Sequence, residues 1–285
     1  MKLVSIGIPF YNCEDYLAYA IKSVINQSYT NWELFLLDDG STDNSLEIAN
    51  SFRYDERIKV ISDGLNKGLS FRLNQLISLS KGEYYARMDA DDIMHFDRIK
   101  TQIDFLIKKT DIDVVGSNYY NIDFNNNIIG LTKVNPNPIS SKDVLKNGCF
   151  AHPSIMGKTD WFRTNPYDEQ WNRMEDIELW LRTVIKSNFA NINRELLFYR
   201  SIGLPTIKKY IKTNFGIISM LNNSKNYNLN KKDAILFQFI YLFKIVVYMV
   251  FEVFGKTEVL VKMRSKKISE CEIKIIKNEL LSSIK

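Results

Sequence analysis

The stretch GEYYARMDADD, Gly82 to Asp92, decides the fold. Its first half is built like a buried β-strand, and three carboxylates, Asp89, Asp91 and Asp92, follow directly. Unpartnered charges are costly to desolvate and close like charges repel, so such a cluster requires cations, hydrogen bonds or abundant water. On its N-terminal side, LSFRLNQLISLSKG carries Leu69, Leu73, Leu76 and Ile77 as one helical stripe, with Gly82 as its stop. On its C-terminal side, DRIKTQIDFLIKK reads as the next helix and IDVVGS as the next strand.

The same alternation reaches back to the first residues. LVSIGIPF is a strand, and NCEDYLAYAIKSVINQ is a helix with Leu17, Ile21, Val24 and Ile25 on one face and Asn12 as its cap. WELFLLD is a second strand, STDNSLEIANSF a helix capped by Ser41 or Thr42, and RIKVIS a third strand. Strands alternating with helices imply right-handed crossovers and a mostly parallel sheet covered on both faces, an α/β fold. Ligands of such sheets bind beyond the carboxyl ends of the strands. Pro9 to Asn12, Asp38 to Ser41 and Asp89 to Asp92 all follow strands and are expected along one edge. Beyond Ser117 the regularity breaks: YYNIDFNNNIIGLT reads as a hairpin turning at residues 125–127, and MEDIELWLRTVIK as a helix with Ile177, Trp180, Leu181 and Val184 inward.

The chain has 285 residues, 45% of them hydrophobic and 25% charged, enough for one large domain or a domain with an appendage. Three distant cysteines, Cys13, Cys149 and Cys271, fit a reducing compartment. With only His95 and His152 as histidines, a zinc site of imidazoles and thiolates is disfavoured. The N-terminal apolar run ends at Pro9 and Asn12, too short for a signal peptide core, so a cytoplasmic protein is expected. From Thr206 onward 15 Lys+Arg stand against 6 Asp+Glu, a net of +9, leaving 23 against 27, or −4, for residues 1–205. A domain of residues 1–205 and a basic, apolar helical region of residues 206–285 are therefore expected.

Carboxylates spaced as Asp89-x-Asp91 suit a hard divalent cation such as Mg2+ or Mn2+ that keeps positions open for substrate phosphates. An EF-hand does not fit, because Met94 and Lys100 fall where a glycine and a bidentate glutamate are needed. No P-loop and no G-x-G-x-x-G follows the first strand, which leaves phosphate to the metal and to basic side chains, with Lys67 and Arg72 as candidates or else as solvated helix residues. A second acidic strand end, LFLLDDGSTD, supplies Asp38, Asp39 and Asp43.

With VSIGIPFYN, LFLLDDGSTD, NKGLSFRLNQLISLSKGEYYARMDADD, HPSIM and MEDIELWLR in this order, the chain over about residues 3–200 resembles the glycosyltransferase family 2 enzymes of GT-A fold, of the bacterial surface-polysaccharide type. The resemblance implies that Pro9, Tyr11 and Asp39 hold the nucleotide base, that Asp89 lies near the ribose, and that Asp91 holds the metal bridging the donor diphosphate. It implies that Asp176 of the Glu175-Asp176 pair is the general base of an inverting transfer, although the pair could instead cap its helix, whose N-terminus favours ionised carboxylates. His152 either lines the acceptor or metal side or is structural. Arg200 falls where members place a basic residue by the donor phosphates. The Q-x-x-R-W motif of processive synthases is absent, which favours transfer of a single sugar. Glu178 and Arg182 read as a surface pair.

Ala234 to Phe254 approaches the length of a membrane span, but Gln238, Lys244 and Glu252 interrupt it, and a central lysine costs roughly 2.5 to 3.5 kcal/mol to insert. The helix either lies on the cytoplasmic leaflet, with VKMRSKK near anionic headgroups, or packs on protein. No nucleic-acid fold accompanies the basic charge. The expected protein is a metal-dependent, inverting glycosyltransferase moving a sugar from a nucleoside-diphosphate donor, a UDP-sugar, to a glycan acceptor. The acceptor expected is a lipid-linked oligosaccharide of O-antigen or capsule assembly, at the cytoplasmic face of the inner membrane; oligomerisation is left open. The alternatives are a sugar-phosphate nucleotidyltransferase, which would carry a glycine-rich N-terminal loop, and a catalytically silent scaffold.

Overall fold

The computed structural model describes residues 1–135, 137–201, 207–257, 259, 266 and 268–285. Its first part alternates as the apolar runs require: β1 (Val4–Phe10), α1 (Leu17–Ile25), β2 (Trp32–Asp38), α2 (Ser45–Ser51), β3 (Ile58–Ser62), α3 (Leu69–Leu79) and β4 (Tyr84–Arg87). Every residue of β1, β2 and β4 is buried, because helices cover both faces of the sheet. β1 pairs in parallel with β2 and with β4, and β2 with β3. Gly7 lies where a Cβ would come within 2.6 Å of the Tyr85 hydroxyl, so the central pair of strands closes only over a glycine.

Next come β5 (Ile93–Met94), α4 (Arg98–Lys108), β6 (Val114–Ile122), β7 (Ile128–Thr132), α5 (Ser141–Asn147), β8 (Met156–Lys158), α6 (Thr159–Thr164), α7 (Glu175–Thr183) and β9 (Phe189–Arg200). The described strands form one sheet in the order β3-β2-β1-β4-β8-β6-β9-β5, with β7 on β6. β8 is antiparallel to both β4 and β6, so the sheet is parallel on one side and mixed on the other. The expected fifth strand and the first arm of the expected hairpin are one element, β6, which runs through to the turn at Asp123–Asn127. β9 was not anticipated, because FANINRELLFYR breaks its apolar alternation with Asn193, Arg194 and Glu195, half or fully exposed in mid-strand.

Two caps differ from expectation. Asn12 does not cap α1, which starts five residues later; it takes a left-handed φ of 47° and its Oδ1 accepts the Thr42 amide at 2.8 Å. Ser41 and Thr42 do not cap α2, whose first turn is closed by Asp43 accepting the Ser45 amide at 3.0 Å. The two loops beyond β1 and β2 are thus tied to one another.

The expected boundary at Pro205 and most of VKMRSKK lie outside the described residues. Beyond it stand α8 (Ile207–Met220), α9 (Lys231–Val253) and α10 (Glu270–Ser283). Ile217, Met220, Phe237 and Tyr241 share a core with Trp180 and Leu181 of α7. α10, opened by a Ser269/Glu272 capping box, places Ile276 and Leu280 against Ile93, Ile122 and Phe198. Its last turn is fixed by the Phe96 amide on Ser283 Oγ at 3.1 Å and by Asn26 Nδ2 on Ser283 O at 3.2 Å. Both helical additions are therefore built onto the sheet domain.

Candidate active site

The turn after β4 carries Asp89, Asp91 and Asp92, and one carboxylate oxygen of each lies within 4.8 Å of the others. Burial, then the charge of Asp89, pushes Asp91 up to about 6. Asp92 is buried and raised well above the carboxylate range by burial, then by Asp91 and Asp89. One of its oxygens accepts the Arg200 amide at 2.8 Å and the other, Oδ2, is buried with no protein partner. Arg87 Nη2 bonds Asp89 Oδ1 from below. A concentration of hard oxygen donors that the protein only partly compensates fits a divalent cation of the Mg2+ or Mn2+ type.

Asp89 is a wall shared by two open clefts. The first, about 520 Å3, is lined by Pro9 to Tyr16, Asp43 and Asp89 to Asp91. The second, about 390 Å3, is lined by Arg87, Asp89, Tyr119, Phe150, His152, Arg173, Glu175, Asp176 and Tyr199. Pro9, Tyr11, Asp89 and Asp91 are thereby brought together on one side, and Asp89, His152, Glu175 and Asp176 on the other.

Glu175 and Asp176 open α7 after a turn in which Arg173 adopts a left-handed φ of 72°. Burial is the leading cause raising both carboxyls; for Glu175 the charge of Asp176 adds to it. Asp176 Oδ1 accepts the Ile177 amide at 2.8 Å, while Glu175 Oε2 is buried without a protein partner. A half-buried carboxylate of raised pKa at the floor of a cleft is suited to accept a proton from a hydroxyl. His152 holds Tyr167 Oη at 2.8 Å through Nε2, and burial followed by the Arg87 charge drives its pKa well down. It is a neutral wall of the second cleft.

Four expected residues, Asp39, Lys67, Arg72 and Arg200, stand apart from the linings of the clefts. Asp39 lies beside Phe10, whose carbonyl accepts its amide at 2.8 Å, and its carboxylate accepts the amides of Lys67 and Gly68. Arg72 is a correction: it is not available to a donor phosphate. Its Nε bonds Asp39 at 2.8 Å, Nη1 bonds Asp63 and Gln75, and Nη2 bonds Asp63 and the Leu65 carbonyl. All five N–H groups of the guanidinium are used inside the fold. Lys67 pairs with Asp63 at 2.8 Å and remains partly exposed.

Arg200 is likewise a correction. It is 4% exposed, donates to the carbonyls of Asp91 and Asp123 and to Asn126 Oδ1, and stacks on Tyr16 at 4.3 Å. Its planar fork clamps the Asp91 turn to the β6–β7 turn. The Glu178–Arg182 pair is also not a surface pair, since Glu178 is buried and receives two bonds, at 2.8 and 3.1 Å. Sequence reasoning missed Arg87, although a lone charge inside an otherwise apolar strand was a readable signal. It also missed Asp63, Tyr119, Tyr199 and Arg173, for which spacing gave none.

Comparison with known proteins agrees with this architecture. The family model described as Glycosyl transferase family 2 matches residues 5–170. A Bacillus subtilis (strain 168) protein named as the glycosyltransferase EpsE is 37% identical over 202 residues, 69% of this chain and 72% of the relative. The Escherichia coli UDP-Glc:alpha-D-GlcNAc-diphosphoundecaprenol beta-1,3-glucosyltransferase WfgD is 34% identical over 194 residues, 67% and 73% of the two chains. S. aureus TarS (residues 1–349), solved with UDP-GlcNAc, aligns with a TM-score of 0.66 at 17% identity, covering 85% of this chain and 72% of that one. At that identity the likeness is one of fold, the GT-A arrangement.

Proposed function

The chain belongs to glycosyl transferase family 2, and from that premise we propose that it is an inverting glycosyltransferase that moves a single sugar from a UDP-sugar to a lipid-diphosphate-linked glycan. One observation carries the reading: Asp89 separates a cleft walled by the β1 loop and the Asp-x-Asp turn from a cleft floored by Asp176. A donor nucleotide along the first cleft and an acceptor hydroxyl in the second would meet at the shared carboxylate wall. Pro9 and Tyr11 contact the base side, Asp39 shapes that end through residues 67 and 68, and Asp89 turns toward the ribose. When bound at Asp91, Mn2+ or Mg2+ supplies positive charge to the departing diphosphate.

Asp176 takes the proton of the acceptor hydroxyl as that oxygen bonds the anomeric carbon from the face opposite the nucleotide. The bond from the anomeric carbon to the diphosphate oxygen breaks with its electron pair, leaving UDP and an inverted linkage. Glu175 and the His152–Tyr167 pair form the walls that hold the acceptor and exclude water. The name of the Escherichia coli relative, which specifies a diphosphoundecaprenol acceptor, favours a lipid-linked acceptor here, as in O-antigen or capsule assembly at the cytoplasmic face of the membrane.

A screen of UDP-sugars, with UDP release measured against bacterial membrane extracts, tests the proposal. Release that depends on donor, extract and divalent metal is expected, falling by about 10²-fold or more in Asp176→Asn and in Asp91→Ala. Full activity in both variants would overturn the mechanism. Absence of metal-dependent UDP binding in calorimetry would point to a silent scaffold.

A further inference from the structure

The hairpin of α8 and α9 is apolar on two sides. One stripe of α9, Ala234, Phe237, Tyr241, Ile245 and Tyr248, faces inward. Tyr241 donates its hydroxyl to the Leu145 carbonyl at 3.0 Å, and Tyr248 stacks on Tyr210 of α8 with ring centroids 4.0 Å apart. A second stripe, Phe239, Leu242, Phe243, Val246, Met249 and Val253, is exposed, Phe243 at 68% and Val253 at 83%. A helix in water carries polar residues on its outer side. Here Gln238 is drawn back by bonds to the Ile218 carbonyl of α8 and to Asn222 in the turn beyond it, and Lys244 lies over the Tyr241 ring at 4.2 Å.

We propose that this stripe seats the protein in the headgroup region of an anionic bilayer, with α9 lying in the membrane plane. By length and composition α9 could cross a membrane. The inward stripe argues for lying flat: a crossing would strip Tyr241 from Leu145, break the 2.6 Å Lys142–Asp233 pair at the start of α9, and carry Lys244 into hydrocarbon. Charge argues for lipid over a second copy of the chain. Residues 207–257 hold eight lysines against Asp233 and Glu252, 8 − 2 = +6, with Lys208, Lys212, Lys231, Lys232 and Lys256 exposed. A symmetric pairing would bring this charge against itself, whereas anionic headgroups complement it. The apolar stripe then enters about 5 to 10 Å while the lysines stay at the surface.

The seat bears on the reaction proposed above, on which this last point rests. Met174, which leads into Glu175 and Asp176, packs against Gly216 of α8. The seated hairpin thus also carries the turn that presents the base, at a fixed height over a lipid-linked acceptor.

Co-sedimentation of the full chain with vesicles of phosphatidylcholine, with and without phosphatidylglycerol, reads the proposal without any transfer assay. Binding is expected with anionic vesicles, weakened by salt and by K231A/K232A, and reduced about tenfold per phenylalanine in F239S/F243S. Calorimetric UDP binding that persists in the variants shows that they are folded. Equal partition of parent and F239S/F243S, a soluble dimer that ignores vesicles, or membrane association resistant to carbonate would each overturn the proposal. Vesicle binding without sugar transfer would leave the seat standing and count against the reaction instead.

Discussion

Arg72 shows how far a single side chain can differ from its appearance in sequence. Its position after two strand-end aspartates suggests a phosphate ligand, yet it is 1% exposed and joins Asp39 to Asp63. Removing one partner of a buried, hydrogen-bonded charge cluster leaves the others uncompensated. Arg72→Met is therefore expected to cost about 3 kcal/mol in chemical denaturation, and to weaken UDP binding because Asp39 loses its orientation. Lys67→Ala, which cuts only the half-exposed pair with Asp63, is expected to cost under about 1 kcal/mol. Similar losses for the two would show that Arg72 does not organise the cluster. The candidate carboxylates were legible because they end buried strands or open a helix, where charge has to be explained. Arg72 and Arg200 were legible as basic residues near a site, but which way a guanidinium turns depends on carbonyls such as Leu65, Asp91 and Asp123 that only the folded chain supplies.

Between elements, α8 comes close to the turn before α7. A Cβ at Gly216 would lie 2.1 Å from Met174 Sδ, and Met174 is buried. Gly216→Val is expected to push Met174 out and cost about 1 to 3 kcal/mol. It should lower kcat more than it raises the KM for donor, because the displaced turn carries Asp176 and not the first cleft. Adding Met174→Ala should recover much of the loss, a coupling of about 0.5 to 3 kcal/mol in a double-mutant cycle. Additive losses would mean that the contact is incidental. The parallel half of the sheet was legible because each strand there is a continuous apolar run followed by an amphipathic helix. β5, β8 and β9 were not, since two are two or three residues long and the third is polar in its middle. Such strands form because β4, β6 and the long edge beside them offer partners, a tertiary cause with no local signature.

Across the whole molecule, the C-terminal helix α10 closes the mixed edge of the sheet, and His95 lies under that closure. Its ring is buried, Nδ1 accepts the Asp97 amide at 3.2 Å, and Nε2 stands 3.7 Å from Glu279 of α10. Glu279 would favour the imidazolium, but burial, with Arg194 of β9 opposing Asp97, lowers the pKa to about 4. Between pH 6.5 and 4 the unfolded chain binds a proton that the folded chain refuses, so this histidine's contribution to stability is complete above pH 6.5 and is lost as pH falls through 4, about 3 kcal/mol in all. The raised carboxyls Asp91, Asp92, Glu175, Asp176 and Glu279 act in the opposite sense, since their folded forms hold protons to higher pH. The contribution of His95 is therefore isolated by comparison with His95→Asn, which keeps an acceptor for the Asp97 amide and has no proton to gain. Urea midpoints of the parent are expected to fall relative to those of His95→Asn between pH 7 and 4.5, with hydrogen exchange in α10 rising alongside. A constant difference between the two proteins over that range would mean that His95 does not carry the acid sensitivity of the closure.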